Sequence, residues 1–183
     1  MAALACMSDS SPTDERDLAA QIVELRPRLV RFAWSLTRDP ETAEDLAQET
    51  IVRALAAQWR FQPGTNLKAW LFRILRNVHL NVVRAASTRP GVLSIEELVG
   101  DPVAAEHDPD PVAARVIQRA DLAQIVAAYR TLPPAFAAPL YLTAIEELRY
   151  AEAAVILDIP VGTVMSRVYR ARRLLVARLK GAR

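Results

Sequence analysis

Residues 150–175 read YAEAAVILDIPVGTVMSRVYRARRLL, and their pattern indicates how the second half of the chain folds. It predicts a short helix from Tyr150 to Leu157, a turn at Asp158-Ile159-Pro160, and a longer helix that begins around Gly162-Thr163. Two helices joined by so short a turn, the second rich in arginine, are typical of a helix-turn-helix. Helical spacing predicts that the pair shares a small core, formed by Ala154, Leu157, Ile159, Val164 and Val168.

The outward face of the longer helix is the candidate DNA-binding surface. Cationic and polar side chains on such a helix can reach phosphates and base edges in a major groove, and backbone N–H groups at its start can bind phosphate. The alternative to DNA binding is that these side chains form only a solvated charged face. We expect five side chains to point outward, namely Ser166, Arg167, Tyr169, Arg170 and Arg173, and Thr163 at the helix start completes the set.

Charge is distributed unevenly along the 183 residues. The net charge is +2, yet residues 90–114 contain six acidic residues and no lysine or arginine, which leaves +8 on the rest of the chain. No acidic residue occurs from position 159 onward. The acidic segment also contains four prolines and two glycines, so it predicts a flexible linker between two helical units.

Composition predicts an all-α chain. Hydrophobic residues make up 52%, enough to bury a core, while only 5 glycines are available for the turns that a β-sandwich or barrel needs. We predict a disordered N-terminal tail over residues 1–17, a helical domain over 18–88, an acidic linker over 89–114, and a helix-turn-helix domain over 115–183.

Three helices are predicted for the first domain. The apolar spacing from Leu18 to Leu36 predicts the first, and Asp39-Pro40 is a strong start signal for the second. The third is predicted from Leu67 to about Arg84, after the break at Gln62-Pro63-Gly64 and a cap at Thr65 or Asn66. In the second domain, a helix is predicted from Asp110-Pro111 to about Tyr129, and Pro133-Pro134 opens another.

Several classes of function are excluded. Cys6, His79 and His107 are too few for a structural zinc site, and no stretch approaches 18 apolar residues. The chain has no glycine-rich phosphate loop and no recognisable nucleophile motif, so we expect neither an enzyme nor a cofactor. The N-terminus does not resemble a secretory signal, whether translation starts at Met1 or Met7, and we therefore expect a cytoplasmic protein.

Two separated segments resemble the extracytoplasmic-function (group IV) sigma factors of bacterial RNA polymerase. The first is AEDLAQET at residues 43–50, continued by FQPGTNLKAWLFRILRN at 61–77. The second combines Leu132-Pro133 with IPVGTVMSR at 159–167 and RARRLL at 170–175. The strings resemble actinobacterial redox- and heat-stress sigma factors, and FQPGTN is also similar to α-proteobacterial general-stress sigma factors.

The resemblance implies three sets of site residues. The set that grips the clamp helices of the polymerase β′ subunit is Asp45, Leu46, Gln48, Glu49 and Arg53. The set that reads the −10 element and captures unstacked bases is Phe61, Asn66, Lys68, Trp70, Arg73, Arg76, Asn77, Asn81 and Arg84. The −35 element is read by the outward face of the helix-turn-helix defined above. Taken alone, Trp70 fits a core position better than a stacking platform.

The resemblance also implies partners. They are the polymerase core, through its β′ clamp helices and β flap, promoter DNA, and an anti-sigma factor, which in some relatives is a zinc-binding redox sensor. The acidic linker would thread the polymerase cleft as a mimic of nascent RNA, where the alternative is a plain tether. Two departures from the family pattern are Glu147 and Asp158, at turn positions where glycine is common, and a third is Met165 in place of a cation.

The sequence therefore predicts a promoter-specificity subunit that performs no covalent chemistry and directs initiation at a stress regulon. A stand-alone helix-turn-helix regulator is the competing class. Such a regulator would bind its operator by itself, usually as a dimer, whereas a sigma factor needs the core polymerase. A helical interaction module without DNA affinity is disfavoured by the basic C-terminal helix.

Overall fold

The computed structural model of the chain describes residues 12–87, 116–118 and 120–181, and the described part is helical with short connections and no strand. Cys6, His107 and the predicted linker 89–114 lie outside these residues. None of the described helices combines the length and the apolarity that crossing a bilayer requires. The helices are α1 (Pro12–Glu24), α2 (Arg26–Thr37), α3 (Pro40–Ala56), α4 (Leu67–Ser87), α5 (Leu122–Arg130), α6 (Pro134–Leu140), α7 (Tyr150–Leu157) and α8 (Val161–Gly181).

The first predicted helix is two helices, which corrects the sequence prediction. The chain breaks at Leu25 and restarts in α2 with Pro27 in its first turn. Proline lacks an N–H and clashes with the carbonyl four residues earlier, so it is tolerated at a helix start and not inside one. Helix α1 begins at Pro12, within the segment predicted as the N-terminal tail.

The core of the first module (α1 to α4) forms as the apolar spacing predicts. Asp39 caps α3, where its Oδ2 accepts a hydrogen bond from the Thr42 N–H at 2.7 Å, and Asn66 Oδ1 accepts one from the Ala69 N–H at 3.2 Å at the start of α4. Phe72, which the spacing did not single out, is also buried. The fully buried apolar side chains here include Ile22, Leu29, Phe32, Ala43, Ala47, Leu71 and Leu75.

The helix-turn-helix of the second module (α5 to α8) is confirmed. Helix α7 ends at Leu157, Asp158 adopts a left-handed conformation with φ 52°, and α8 starts at Val161. The predicted helix ending near Tyr129 is interrupted: residues 116–118 are helical, the chain bends at Ala120, and α5 starts at Leu122. Of the predicted core, Ala154, Leu157, Val164 and Val168 are buried and Ile159 is half-buried.

A π-helical turn, Tyr141–Ile145, follows α6 directly. Its hydrogen bond from the Glu146 N–H to the Tyr141 carbonyl oxygen spans five residues, at 3.1 Å. Pro139 lies inside α6, just upstream, where it removes one backbone donor from the helix. Glu147 then takes a left-handed φ of 57°, so this connection is irregular on both sides of Glu146.

The two modules pack against each other. Helices α2 and α4 of the first contact α6, the π-helical turn and α7 of the second. Three aromatic rings meet at this boundary: the Phe32 centroid lies 4.9 Å from that of Phe72 and 6.0 Å from that of Tyr141. Offset and edge-to-face aromatic contacts of this kind add to the free energy gained by burying the rings.

Candidate nucleic-acid and protein interfaces

An exposed face of α3 carries the predicted polymerase-binding residues. Asp45, Gln48, Glu49 and Arg53 all reach solvent, and Arg53 Nε lies 2.6 Å from Glu49 Oε1 in an (i, i+4) ion pair. Leu46 does not belong to this face: its side chain is 3% exposed and packs into the core. The prediction that Leu46 contacts the partner directly is therefore wrong, because its helical position faces α2 and α4 rather than solvent.

Two large exposed apolar side chains, one on α3 and one just after it, were not predicted from the sequence. Val52, one to two turns after Asp45 and Gln48 on the same side of α3, is 55% exposed, and Trp59 in the following 3-10 turn is 73% exposed. The Arg60 guanidinium carbon lies 4.7 Å from the Trp59 ring centroid. The available signal was that Val52 falls outside the buried repeat of α3, which leaves it no core to face.

One face of α4 gathers most of the predicted −10 residues. Arg73, Asn77, Asn81 and Arg84 are exposed and follow one another at spacings of three or four residues, which places them along one stripe of a helix. Asn66 is exposed at the start of the same stripe. Amide and guanidinium groups in one row can donate to base edges and phosphates.

Two aromatic residues contact each other near the start of this stripe. The rings of Phe61 and Trp70 lie 5.4 Å apart at an interplanar angle of 52°, and both side chains are half-buried. Trp70 packs against the hydrophobic core, in line with its assignment as a core residue. Arg76, on another side of α4, is half-buried, so it is less accessible to DNA than Arg73.

Lys68 lies apart from the other predicted −10 residues. It is five residues before Arg73, about 140° around the helix, and therefore points away from the stripe. Its Nζ lies 3.6 Å from Glu146 Oε2 and donates to the Glu146 carbonyl oxygen at 3.4 Å. The structure thus separates Lys68 from the stripe and places it against the second module.

The predicted −35 residues differ in exposure. Arg173 is exposed, with its guanidinium carbon 5.9 Å from the Tyr169 ring centroid, while Thr163, Arg167, Tyr169 and Arg170 are half-buried. Ser166 is 6% exposed, and its Oγ donates to the Thr163 carbonyl oxygen at 3.0 Å. The expected outward position of Ser166 is wrong, because it lies between Thr163 and the buried side of α8.

Glu146 is a buried acid whose burial was not predicted from the sequence. Glu146 is 2% exposed and accepts hydrogen bonds from Arg28 Nη1 at 2.7 Å and from the Tyr141 hydroxyl at 2.8 Å. The hydrogen bond and charge of Glu146 raise the pKa of Arg28 above its usual value, and burial, followed by Glu146, raises that of Tyr141. Nothing in the local sequence distinguished Glu146 from its exposed neighbour Glu147, because its partners are distant in the chain.

Comparisons with known proteins match both modules. The profile of Sigma-70 region 2 matches residues 22–89, and that of Sigma-70 region 4 matches residues 122–175. The chain is 36% identical to the extracytoplasmic-function (ECF) sigma factor EcfG of Rhodopseudomonas palustris over 88% of this chain and 84% of that protein. It is 39% identical to ECF sigma factor SigE of Mycolicibacterium smegmatis over 81% of this chain, which spans 56% of that protein.

Solved structures give the same match. The sigma factor RpoE of Bartonella quintana, in complex with the anti-sigma factor NepR, superposes with a TM-score of 0.65 at 32% identity, over 92% of this chain and 99% of that chain. CnrH, in complex with the cytosolic domain of CnrY, gives a TM-score of 0.54 at 28% identity, over the same shares of the two chains.

Proposed function

Because the chain belongs to the extracytoplasmic-function group of sigma-70 factors, we propose that its two modules divide the work of promoter recognition. The chain is a non-enzymatic initiation factor that binds RNA polymerase and recognises promoter DNA. In the proposed division, the first module binds the core enzyme through α3 and the −10 element through α4. The second module binds the −35 element through α8.

The stripe on α4 is the observation that carries the −10 assignment. Melting a promoter is assisted by holding bases that have left the stack, which requires hydrogen-bonding groups for their edges and cations for the backbone. Arg73, Asn77, Asn81 and Arg84 supply both kinds of group on one exposed line. Lys68 belongs to this function only in a conformation that releases it from Glu146.

The α3 face supports the polymerase contact. Asp45, Gln48 and Glu49 form an acidic and polar surface suited to a basic partner helix; Val52 adds an exposed apolar side chain on the same side of α3, and Trp59 adds another just after the helix. Interfaces typically gain most of their binding energy from a few such anchors, among which tryptophan is common. We assign this surface to the β′ clamp helices.

We also propose that an anti-sigma factor regulates this chain. One solved relative, which shares 32% identity with this chain, is bound to the anti-sigma factor NepR, and another is bound to the cytosolic domain of CnrY. We extend this mode of control to the present chain, together with a stress regulon and a cytoplasmic site of action, where the core polymerase works.

Run-off transcription tests the function. Purified chain added to core polymerase should produce transcripts of defined start from genomic fragments, whereas the chain alone should bind the same fragments poorly. Tight, core-independent binding to a palindromic site would favour the stand-alone regulator instead. In a separate pull-down with core polymerase, Asp45→Lys should lower the affinity of the chain for the core enzyme. Glu24→Lys on α1 is a control with the same change in charge.

A further inference from the structure

Glu146 joins the two modules. Its carboxylate, fully buried, contacts Arg28 of α2 at 2.7 Å and Lys68 of α4 at 3.6 Å, while its own module supplies the Tyr141 hydroxyl at 2.8 Å. The Tyr141 hydroxyl also lies 3.2 Å from the Arg28 carbonyl oxygen. One acid of the second module therefore engages two cations of the first.

We propose that Glu146 is a latch that holds the free chain in a closed, promoter-incompetent state. The inference rests on the proposed function, because it concerns the release of the same promoter-reading groups. In the closed state the second module covers Lys68 of the −10 set, and the Glu146 carboxylate occupies the position beside Lys68 that a DNA phosphate would take. Asn66 is engaged as well, since its side chain interacts with the Glu152 carboxylate on α7.

Distance alone makes this state incompatible with a promoter. The −35 and −10 elements are about 25 base pairs apart, which is roughly 85 Å of DNA at 3.4 Å per base pair. The modules touch here, with the Phe32 and Tyr141 rings 6.0 Å apart. Both elements can be read at once only after α2 and α4 separate from α6 and α7, so opening must precede or accompany promoter binding.

The chemistry of the contact suits a reversible latch. The attraction between Glu146 and its two cations is partly offset by the hydration that the buried carboxylate has lost, so the contact can hold the modules together and still be released. When the modules separate, the Glu146 carboxylate regains water. Loss of the Arg28 cation leaves the buried carboxylate short of a partner, and loss of the Glu146 charge removes the attraction between the modules, so each change weakens the closed state.

The test compares four full-length chains: wild type, Glu146→Gln, Arg28→Gln and Glu44→Gln. Glu44→Gln is the matched control, because it breaks the 2.6 Å Arg26–Glu44 ion pair, which lies within the first module. Small-angle scattering gives the radius of gyration of each free chain, titration gives its affinity for core polymerase, and circular dichroism verifies helix content. Arg28 is 44% exposed, so Arg28→Gln remains informative if Glu146→Gln fails to fold.

We expect both latch variants to have a larger radius of gyration than wild type and to bind core polymerase more tightly. The gain in affinity is on the order of tenfold if about nine-tenths of wild-type chains are closed. Combining the two substitutions should add little, because they break one contact. The latch is refuted if the wild-type chain is already extended, or if well-folded latch variants match the Glu44→Gln control in size and affinity.

The outcomes separate the latch from the proposed function. If all chains support run-off transcription but the latch variants behave like the control, the sigma activity stands and the latch is wrong. If no chain directs transcription with core polymerase, the proposed function itself fails.

Discussion

The guanidinium carbon of Arg38 lies 5.3 Å from the ring centroid of Tyr129, and the two residues belong to different modules. The same carbon lies 4.4 Å from the Trp34 ring centroid, and Nη2 donates to the Leu132 carbonyl oxygen. Burial lowers the pKa of Arg38 and raises that of Tyr129 to about 12. Arg38 is thus a second contact between the modules, held by aromatic faces rather than by a carboxylate.

Arg38→Lys should lower the free energy of unfolding by about 1 kcal/mol, because lysine keeps the charge but loses the flat guanidinium that fits against the two rings. Urea denaturation measures the change. Arg130→Lys, at an exposed position at the end of α5, serves as the control and should leave the midpoint unchanged. Equal stability of the two variants would show that the Arg38 contacts contribute nothing.

Trp59→Ala should weaken binding to core polymerase by about thirtyfold or more, since truncation of an interface hot-spot tryptophan commonly costs about 2 kcal/mol or above. The free chain should lose little stability, because the side chain is 73% exposed. Leu122→Ala is the control, an apolar residue that is 76% exposed on the other module. A Trp59→Ala affinity equal to that of Leu122→Ala would remove Trp59 from the interface.

Asn77→Ala should reduce open-complex formation about five- to tenfold, the effect of one lost hydrogen bond to a captured base, and should alter initial promoter binding much less. Permanganate footprinting reports the opening, and a mobility-shift assay reports the binding. Gln124→Ala removes an exposed amide elsewhere and should change neither. Parallel losses of binding and opening in Asn77→Ala would argue against base capture.

Arg173→Ala should lower affinity for −35 DNA similarly across sequences and reduce the slope of log K against log salt by about 1, if this exposed arginine contacts a phosphate. The measurement is a salt titration of holoenzyme binding. A loss confined to one base position, with an unchanged salt slope, would instead indicate a base contact.

His79 should make stability depend on pH. Burial, and then the charge of Arg76, lowers its pKa below the ordinary 6.5, so the folded chain binds the proton less well than the unfolded chain does. Its contribution is complete above pH 6.5 and is lost as the pH falls through the lowered pKa. Between pH 8 and pH 5, the melting temperature should fall more for wild type than for His79→Gln. Parallel curves would contradict this assignment.

Much of the fold follows from local patterns in the sequence. The α3 start at Asp39-Pro40 and the whole of α7–turn–α8 form as predicted, because a capping side chain, proline and apolar spacing act within a few residues. The break at Leu25 was missed because the apolar spacing continues across it, although Pro27 was the available signal.

Contacts between the modules were not predictable in the same way. Phe72 resembled the other apolar residues of α4 in the sequence, and it packs against Phe32 of its own module and Tyr141, far along the chain. Glu146 and Glu147 are adjacent acids, yet one is buried and the other exposed. The sequence also mispredicted the exposure of Leu46 and Ser166. Both lie next to exposed or half-buried polar residues in the chain, but their own side chains are buried.

The π-helical turn at Tyr141–Ile145 sets the direction in which the Glu146 side chain points. In a regular α-helix, residues five apart differ by about 140° in direction, so the Tyr141 hydroxyl and the Glu146 carboxylate would diverge. The wider turn returns Glu146 to the azimuth of Tyr141, where the two meet at 2.8 Å. The extra residue of this turn therefore lets an acid five positions after Tyr141 take the place that a residue four positions later holds in an α-helix, and this directs the carboxylate at both its own tyrosine and the cations of the first module.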